Sequence, residues 1–260
     1  MMRSLRENVG VHLAASTPMT EESNIPEEIK IQAMDYVAAG ARSVLGAAPF
    51  VGSLLVELVG TVIPNQRIDR IAKFASALER RMSDLEKSKI KNEFSDEAFT
   101  ELLEESLRQA ARSHSDERRE YLASLVANSL TDDEVTHSEH RHLLRILGDV
   151  SDVEIIWLRS FVPFYASDPD AFRTTHASTL QRVSAHLGSP QWELDKHALQ
   201  ESYIAHLVGL GLLKRALKLD RNKEPVVKGG AKEFEYSSPS LTSLGRMLLR
   251  LVNLMPENGI

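Results

Sequence analysis

The chain has 260 residues, of which 42% are hydrophobic and 26% charged, and its formal net charge is -6. This composition predicts a globular protein with a sizeable core, and the acidic balance argues against a whole-protein field that would hold nucleic acid or anionic lipid. A local basic patch remains compatible with it. The absence of cysteine excludes disulfides, a thiol nucleophile and a thiolate metal site.

Residues 1–25 are predicted to form a flexible N-terminal tail. Their apolar run, VGVHLAA, is short and contains a histidine, so it is too weak for the apolar region of a secretory signal. We therefore expect a cytoplasmic protein. A helical bundle is predicted over residues 26–150, and it opens with a helix from Pro26 to about Ala48 whose apolar side chains recur at three- and four-residue steps.

Residues 46–67, GAAPFVGSLLVELVGTVIPNQR, form the least polar stretch of the chain, with one charge, Glu57, before Arg67. The uncharged run before Glu57 is 14 residues long and contains Pro49, whereas a spanning helix needs roughly 17 to 25 apolar residues. We interpret the stretch as a helical hairpin with its second helix near residues 51–63, either buried or self-associating. Conditional membrane insertion is the alternative, and the candidate contact residues are Phe50, Val51, Leu54, Leu55, Leu58 and Val62.

Further helices follow from periodicity and caps. A third helix is predicted from about residue 65, with a heptad seam that favours an intramolecular bundle and is formed by Ile68, Ile71, Ala75, Leu78, Met82 and Leu85. Apolar faces at residues 99–110 and 121–130 indicate two more helices. The spacings Thr136 to Glu139 and Ser151 to Glu154 are those of capping boxes, which predict a helix start at each.

Residues 151–260 are predicted to form a second domain. Helical patterns near residues 176–187 and 194–210 are followed by alternating apolar residues at 213–219 and 234–236, which indicate two strands joined by a long polar turn. A closing helix follows. The fold class is therefore mainly α: an N-terminal helical bundle with an apolar hairpin, and then a winged-helix-like domain with a two-stranded wing.

Two stretches resemble known bacterial sequences. SLTSLGRMLLRL, with Thr242, Gly245 and Arg246, resembles the L-T-x-x-G-R helix start that follows the wing in many bacterial winged-helix proteins, and LVGLGLLKR resembles their exit from the recognition helix. ERREYLASLVANSL followed by HLLRILGDVSDVEIIWLRSF resembles the abortive-infection alpha family of bacterial proteins, over about residues 116–161 and more loosely at the chain end. The second resemblance implies a role in defence against phage, with no chemistry to carry over.

The chain contains no phosphate-binding loop, no dinucleotide fingerprint, no nucleophile elbow and no H-E-x-x-H motif. We therefore predict a protein that is not an enzyme, without a cofactor or a small-molecule substrate. The segment TDDEVTHSEHRH places His137 and His140 three residues apart on one helix face, as in some zinc sites, but a third ligand would have to come from elsewhere. We interpret it as a solvated helix start without a metal, and metal binding is the alternative.

The predicted wing carries a local basic run, although Glu233 and Glu235 follow it directly. Its candidate phosphate contacts are Lys214, Arg215, Lys218, Arg221, Lys223 and Lys228. The helix before the wing is net acidic, the wrong sign for a helix in a major groove, so any nucleic-acid binding is expected to be weak and indifferent to sequence. A winged helix that contacts proteins is favoured over one that binds nucleic acid.

Together these features predict a non-enzymatic bacterial interaction or effector protein with a role in phage defence. Its N-terminal hairpin would associate with another copy, a protein partner or, on activation, a membrane, and its winged helix would dock or sense. The alternative is a DNA-binding winged-helix transcriptional regulator that dimerises through its N-terminal helices.

Overall fold

The computed structural model describes residues 48, 50–52, 67–93, 95–132, 135–163, 171–227 and 234–255. The predicted tail, the first predicted helix apart from Ala48, most of the apolar hairpin with Leu54, Leu55, Leu58 and Val62, and Lys228 of the wing lie outside these residues. The described chain is mostly helical, with one small two-stranded antiparallel sheet. In chain order the elements are α1 (Ile68–Arg81), α2 (Asp84–Glu93), α3 (Glu97–Arg112), α4 (Asp116–Ser129), α5 (His137–Asp149), α6 (Asp152–Ser160), α7 (Ala171–Thr175), α8 (Ala177–Leu180), α9 (Gln191–Gly209), β1 (Leu213–Lys214), β2 (Ser240–Leu241) and α10 (Ser243–Leu251).

Helices α1, α3, α4 and α5 form a bundle in which α1 packs on α4 and α3, and α3 packs on α4 and α5. The apolar faces predicted from the sequence form its core. On α3 the buried apolar residues include Phe99, Leu102, Leu103, Leu107 and Ala110, and on α4 they include Leu122, Leu125 and Val126. The seam of α1 is likewise turned inward, because Ile68, Ile71, Ala75 and Leu78 are buried.

The continuous third helix predicted through Leu85 is wrong beyond Arg81. Met82 has an extended backbone, and α2 begins at Asp84. The cause is local: the backbone N–H of Ser83 donates to the Glu86 carboxylate, and the backbone N–H of Glu86 donates to the Ser83 hydroxyl at 3.4 Å. These reciprocal bonds are a capping box that starts a new helix and therefore ends the previous one.

Both capping boxes predicted further along the chain are confirmed. Thr136 and Glu139 cap α5, and Ser151 and Glu154 cap α6, with each hydroxyl and each carboxylate satisfying a backbone donor. Helix α5 ends at Asp149, and a two-residue link separates it from α6.

The helix predicted over residues 176–187 is mostly wrong. Only the short helices α7 and α8 form near its start, and residues 181–186 follow without helical structure. Side chains of α9 satisfy the backbone there: Gln200 accepts from the Val183 N–H at 3.0 Å and donates to the Gln181 carbonyl at 2.8 Å, and His197 Nδ1 contacts the Val183 carbonyl at 2.9 Å. Partners from α9 thus replace helical hydrogen bonds. The next predicted helix, at 194–210, is observed as α9.

The junction between α9, β1 and α10 is tightly packed. The chain leaves α9 through Gly211, whose φ of 73° lies in the left-handed region that favours glycine. The Thr242 hydroxyl donates to the Gly211 carbonyl at 2.7 Å and accepts from the Gly245 N–H at 3.0 Å, so one side chain joins the end of α9 to the start of α10. A Cβ at Gly245 would lie 2.3 Å from the Leu212 carbonyl oxygen.

Helix α10 returns to the bundle and packs on α4. Asn128 of α4 donates to the Leu251 carbonyl at 2.8 Å, which anchors the end of α10. The buried apolar residues of the bundle, α9 and α10 form one continuous core cluster. The wing therefore projects from a C-terminal part that is anchored on both sides.

Candidate interaction surface

The wing beyond β1 is built from three short extended segments, 216–220, 224–227 and 234–237. Three backbone hydrogen bonds join them: Lys218 N–H donates to the Glu235 carbonyl at 2.8 Å, Val226 N–H to the Lys218 carbonyl at 2.8 Å, and Glu235 N–H to the Val226 carbonyl at 2.7 Å. Each segment is thus bonded to the other two. The first predicted strand, 213–219, is regular only at β1. The second, 234–236, is wrong as a strand, because its residues form isolated bridges and the strand that pairs with β1 is β2. The predicted polar turn contributes the third segment.

Antiparallel pairing sorts the wing side chains onto two faces. Leu217 pairs with Tyr236 and Val227 pairs with Phe234, and residues directly opposite each other point to the same side. Alternation places Leu219 with Leu217, and Phe234 with Tyr236. We define the apolar wing face as Leu217, Leu219, Val227, Phe234 and Tyr236.

The apolar wing face is open to solvent. Its five side chains are each between 41% and 56% exposed. Large apolar side chains clustered in this way are unusual on a protein that works alone, because burying them would release a free energy of roughly 25 cal/mol per Å². The face therefore has the character of a contact surface.

The apolar wing face continues toward α9. Arg215 has the same strand parity as Leu217 and Leu219, and its guanidinium forms an ion pair with Glu201 of α9 at 3.0 Å. Leu194 lies seven residues before Glu201, on the same flank of α9, and is partly exposed. The opposite flank of α9 exposes Trp192 and Leu199.

The five predicted phosphate contacts that the structure describes do not form one patch. Two are already paired: Arg215 with Glu201, and Lys218 with Glu235 at 2.8 Å on the side of the wing opposite the apolar face. Lys214 is exposed at the base of the wing. Arg221 and Lys223 lie at the tip, where Asp220 accepts from two backbone N–H groups and shapes the turn.

Of the candidate residues in the apolar hairpin, only Phe50 and Val51 are described. Val51 is fully buried and Phe50 is half-buried against the core. The backbone N–H groups of both donate to the Glu79 carboxylate of α1 at 3.1 Å, which caps the helical residues 50–52. Val51 thus packs into the core, and association of the hairpin with a copy, a partner or a membrane stays a prediction.

The histidine-rich segment is a capped helix start, as predicted, but it is solvated only in part. His140 is fully buried, its Nδ1 contacts the Thr136 carbonyl at 3.0 Å, and burial lowers its pKa below the ordinary histidine value. The ring centroids of His137 and His140 lie 6.5 Å apart, and the two rings have different partners. His137 turns to Glu93 of α2, at 3.0 Å from Nε2 to Oε2, and packs edge-on against Phe99.

A polar cleft of about 830 Å³ lies among the C-terminal ends of α3 and α5 and the N-terminal ends of α4 and α6. Arg118 is its least exposed cation. It donates to the Leu147 and Val150 carbonyls at 2.7 and 2.6 Å and to Asp152 at 2.7 Å. All of its hydrogen bonds serve the α4–α5–α6 junction, so this guanidinium holds the fold together.

No helix within the described part of the chain is long and apolar enough to cross a membrane. No family model matches the chain, and no similar curated protein or solved structure is found. The apolar wing face was missed as a site because its alternation was interpreted only as a signal for strands. The absence of a second apolar sheet pattern to cover the wing was the sequence signal that could have found it.

Proposed function

We propose that this chain is a non-enzymatic interaction protein whose C-terminal part is winged-helix-like and associates through the apolar wing face with a second copy of the chain. The observation that carries the proposal is the exposure of five large apolar side chains in paired positions on one side of the wing. The order of α9, a β wing and α10, with Thr242 capping α10, supports the winged-helix-like assignment. The N-terminal hairpin stays a second, untested contact region.

A second copy fits this face because the described strand positions on this side carry no unpaired charge. The one charged side chain among them, Arg215, is paired with Glu201, and the Lys218–Glu235 pair lies on the opposite side of the wing. Two copies can therefore bring apolar side chains together without the repulsion that juxtaposed like charges produce. A twofold dimer also needs only one self-complementary patch, and this is the commonest oligomer among soluble proteins.

Nucleic-acid binding receives less support. Lys214, Arg221 and Lys223 remain exposed, but they are divided between the base and the tip of the wing, and Glu193 and Asp195 lie on the helix before it. Phosphate contacts add affinity roughly in proportion to the charges neutralised, so three scattered cations would give weak binding that is lost as salt rises. The role in phage defence rests on the sequence resemblance alone and stays a prediction.

The test is the mass of the purified protein in solution, measured by sedimentation equilibrium over a range of concentrations. We expect a concentration-dependent dimer. The double substitution Phe234→Ser and Tyr236→Ser should weaken it at least about tenfold, because central aromatic side chains carry much of the energy of an interface. Both positions are exposed, so the monomer should keep its helical circular dichroism and its melting temperature.

The matched control is Leu187→Ser, which removes a fully exposed leucine from the segment before α9, whereas the wing follows that helix. Its dimerisation should equal that of the original chain. A monomer at all concentrations, or a dimer that survives the double substitution, would contradict self-association through this face. Salt-sensitive binding to duplex DNA that is lost in an Arg221→Ala, Lys223→Ala variant would favour the nucleic-acid alternative instead.

A further inference from the structure

Three metal-ligand side chains converge where α2 ends and where α3 and α5 begin. Glu93 is the last residue of α2, Asp96 is the N-cap of α3, and His137 is the first residue of α5. One potential ligand atom from each lies within 4.8 Å of the other two. Glu93 and Asp96 come from one tight turn, in which the Asp96 N–H donates to the Glu93 carbonyl at 2.8 Å.

We propose that Glu93, Asp96 and His137 bind a divalent first-row transition-metal ion, with zinc as the reference ion. Imidazole nitrogen and carboxylate oxygen together are a donor set used for zinc, and three protein ligands leave a position for water. In a tetrahedral zinc site with bonds of about 2.0 to 2.1 Å, neighbouring ligand atoms are about 3.3 Å apart. The 3.0 Å between Glu93 Oε2 and His137 Nε2 is close to that separation.

The charges around the cluster also favour a bound cation. Two carboxylates face one imidazole, and within the described residues no lysine or arginine side chain pairs with Glu93 or Asp96. The positive ends of the α3 and α5 dipoles offset this charge only in part. Elsewhere on the bundle, acidic groups such as Asp116 and Glu120 have basic partners.

The ligands are held in place before any metal binds. One oxygen of Asp96 accepts from the Ala98 and Phe99 N–H groups at 2.7 and 3.4 Å, and this cap leaves the other oxygen unused. The His137 ring is mostly buried and packs edge-on against Phe99, with ring centroids 5.2 Å apart. Such fixed side chains lose little freedom when they bind an ion.

His140 does not belong to this site. Its Nδ1 contacts the Thr136 carbonyl, and its Nε2 faces Asp132 at 3.6 Å inside the bundle. The exposed His142 lies on the same helix outside the cluster. The histidine of the site therefore takes its carboxylate partners from the α2–α3 turn, about 40 residues earlier in the chain.

Bound zinc would hold the end of α2 to the starts of α3 and α5, so occupancy should be visible as stability. Protein dialysed against a chelator should bind one Zn²⁺ per chain by calorimetry and by native mass spectrometry, and its melting temperature should rise with added Zn²⁺. Magnesium at the same concentration should bind at least about tenfold more weakly, because it keeps its waters and prefers oxygen ligands alone.

The test variants are Glu93→Gln and Asp96→Asn. Each removes one charge and keeps nearly the same shape, and asparagine is as good an N-cap as aspartate, so the metal-free fold should be unchanged by circular dichroism. Zinc affinity should fall at least about tenfold in each, and the rise in melting temperature should shrink accordingly. The matched controls are Glu97→Gln, an exposed carboxylate next to the cluster, and His142→Gln, and both should bind zinc like the original chain.

Absence of one-to-one zinc binding at about 10 µM metal would overturn the proposal. Equal zinc affinity in the original chain, Glu93→Gln and Asp96→Asn would overturn it too, because the ion would then be adventitious and held elsewhere. If His142→Gln lost binding while Glu93→Gln retained it, the site would lie on the exposed face of α5, and the cluster defined here would be wrong.

Discussion

The helical bundle and the C-terminal part of this chain differ in how far their large apolar side chains are exposed to solvent. In the bundle, Phe74 and Leu78 on α1 and Phe99 on α3 are completely buried. Every large apolar side chain with high exposure in the described residues lies between 187 and 236. The bundle thus covers its own apolar faces, whereas the C-terminal part leaves one exposed to solvent.

The difference follows from how the two regions are built. Each helix of the bundle packs on two or three of the others, so its apolar side chains are covered by those of its neighbours. The wing has two faces and only short segments, and no second layer packs on it within the described residues. A small isolated sheet cannot bury its own apolar side, so that side stays exposed.

The largest expected effect is a direct comparison of two leucines. Leu107→Ala on α3 removes a fully buried side chain and should lower the free energy of unfolding by about 3 kcal/mol, because lost burial and the remaining cavity both contribute. Leu199→Ala on α9, where the side chain is 55% exposed, should change it by less than about 0.5 kcal/mol. Chemical denaturation of both variants in parallel measures the difference.

Similar losses of unfolding free energy in the two variants would contradict the contrast between the bundle and the C-terminal part, because Leu199 would then be covered by part of the same chain. The measurement should be made below the concentration at which the protein dimerises. Otherwise the free energy of unfolding of Leu199→Ala would include a contribution from dimerisation.

A second, smaller loss of stability should show that the C-terminal part is tightly packed at the junction of α9 and α10, although its wing is exposed. Gly245→Ala places a Cβ 2.3 Å from the Leu212 carbonyl oxygen, so α10 must move away from the end of α9, at a cost of about 2 kcal/mol. Gly209→Ala is the control, since a Cβ there meets no heavy atom within 4 Å and alanine favours helix, so stability should stay equal or rise slightly. Equal melting temperatures for Gly245→Ala and the original chain would show that this junction is loose.

Local patterns predicted much of the bundle. Two capping boxes and the apolar faces of α3 and α4 could be identified because their determinants lie within three or four residues of one another. The same rule should have predicted the break after Arg81, since Ser83 and Glu86 have capping-box spacing. The apolar residues continue at heptad spacing through Leu85, so the sequence pattern predicts one continuous helix across the break.

What could not be predicted depends on distant partners. Residues 181–183 have no helical structure because Gln200 and His197 on α9 satisfy their backbone, and no local pattern announces that. The cluster around His137 needs Glu93 and Asp96 from another turn. In the wing, alternation indicated extended segments at 213–219 and 234–236, but regular strands form only at β1 and β2, and exposure depends on what packs above the segments.

The smallest expected effect compares the two confirmed capping boxes, one at the surface of the bundle and one at its junction with α9. Glu154 is buried, and burial raises its pKa. Hydrogen bonds from the Ser151 N–H, from His206 at 2.7 Å and from the Ser151 hydroxyl outweigh this and leave the pKa below its ordinary value. Glu139 is fully exposed, and the Thr136 N–H and hydroxyl lower its pKa without a partner from another helix.

A carboxyl group whose pKa is lowered by folding stabilises the protein above its unfolded pKa, and this contribution disappears as the pH falls through the folded pKa. Glu154→Gln keeps a capping-box side chain but cannot ionise, so it should cost about 1 kcal/mol at pH 7 and progressively less as the pH falls below about 4. Melting temperatures at pH 7 and at pH 3.5, for this variant and for Glu139→Gln, measure the contrast. The Glu139→Gln loss should be smaller, because solvent screens an exposed carboxylate. If both variants show the same dependence on pH, the bond between Glu154 and His206 contributes nothing to joining α6 and α9, and the C-terminal part is held to the bundle by its apolar contacts and α10 alone.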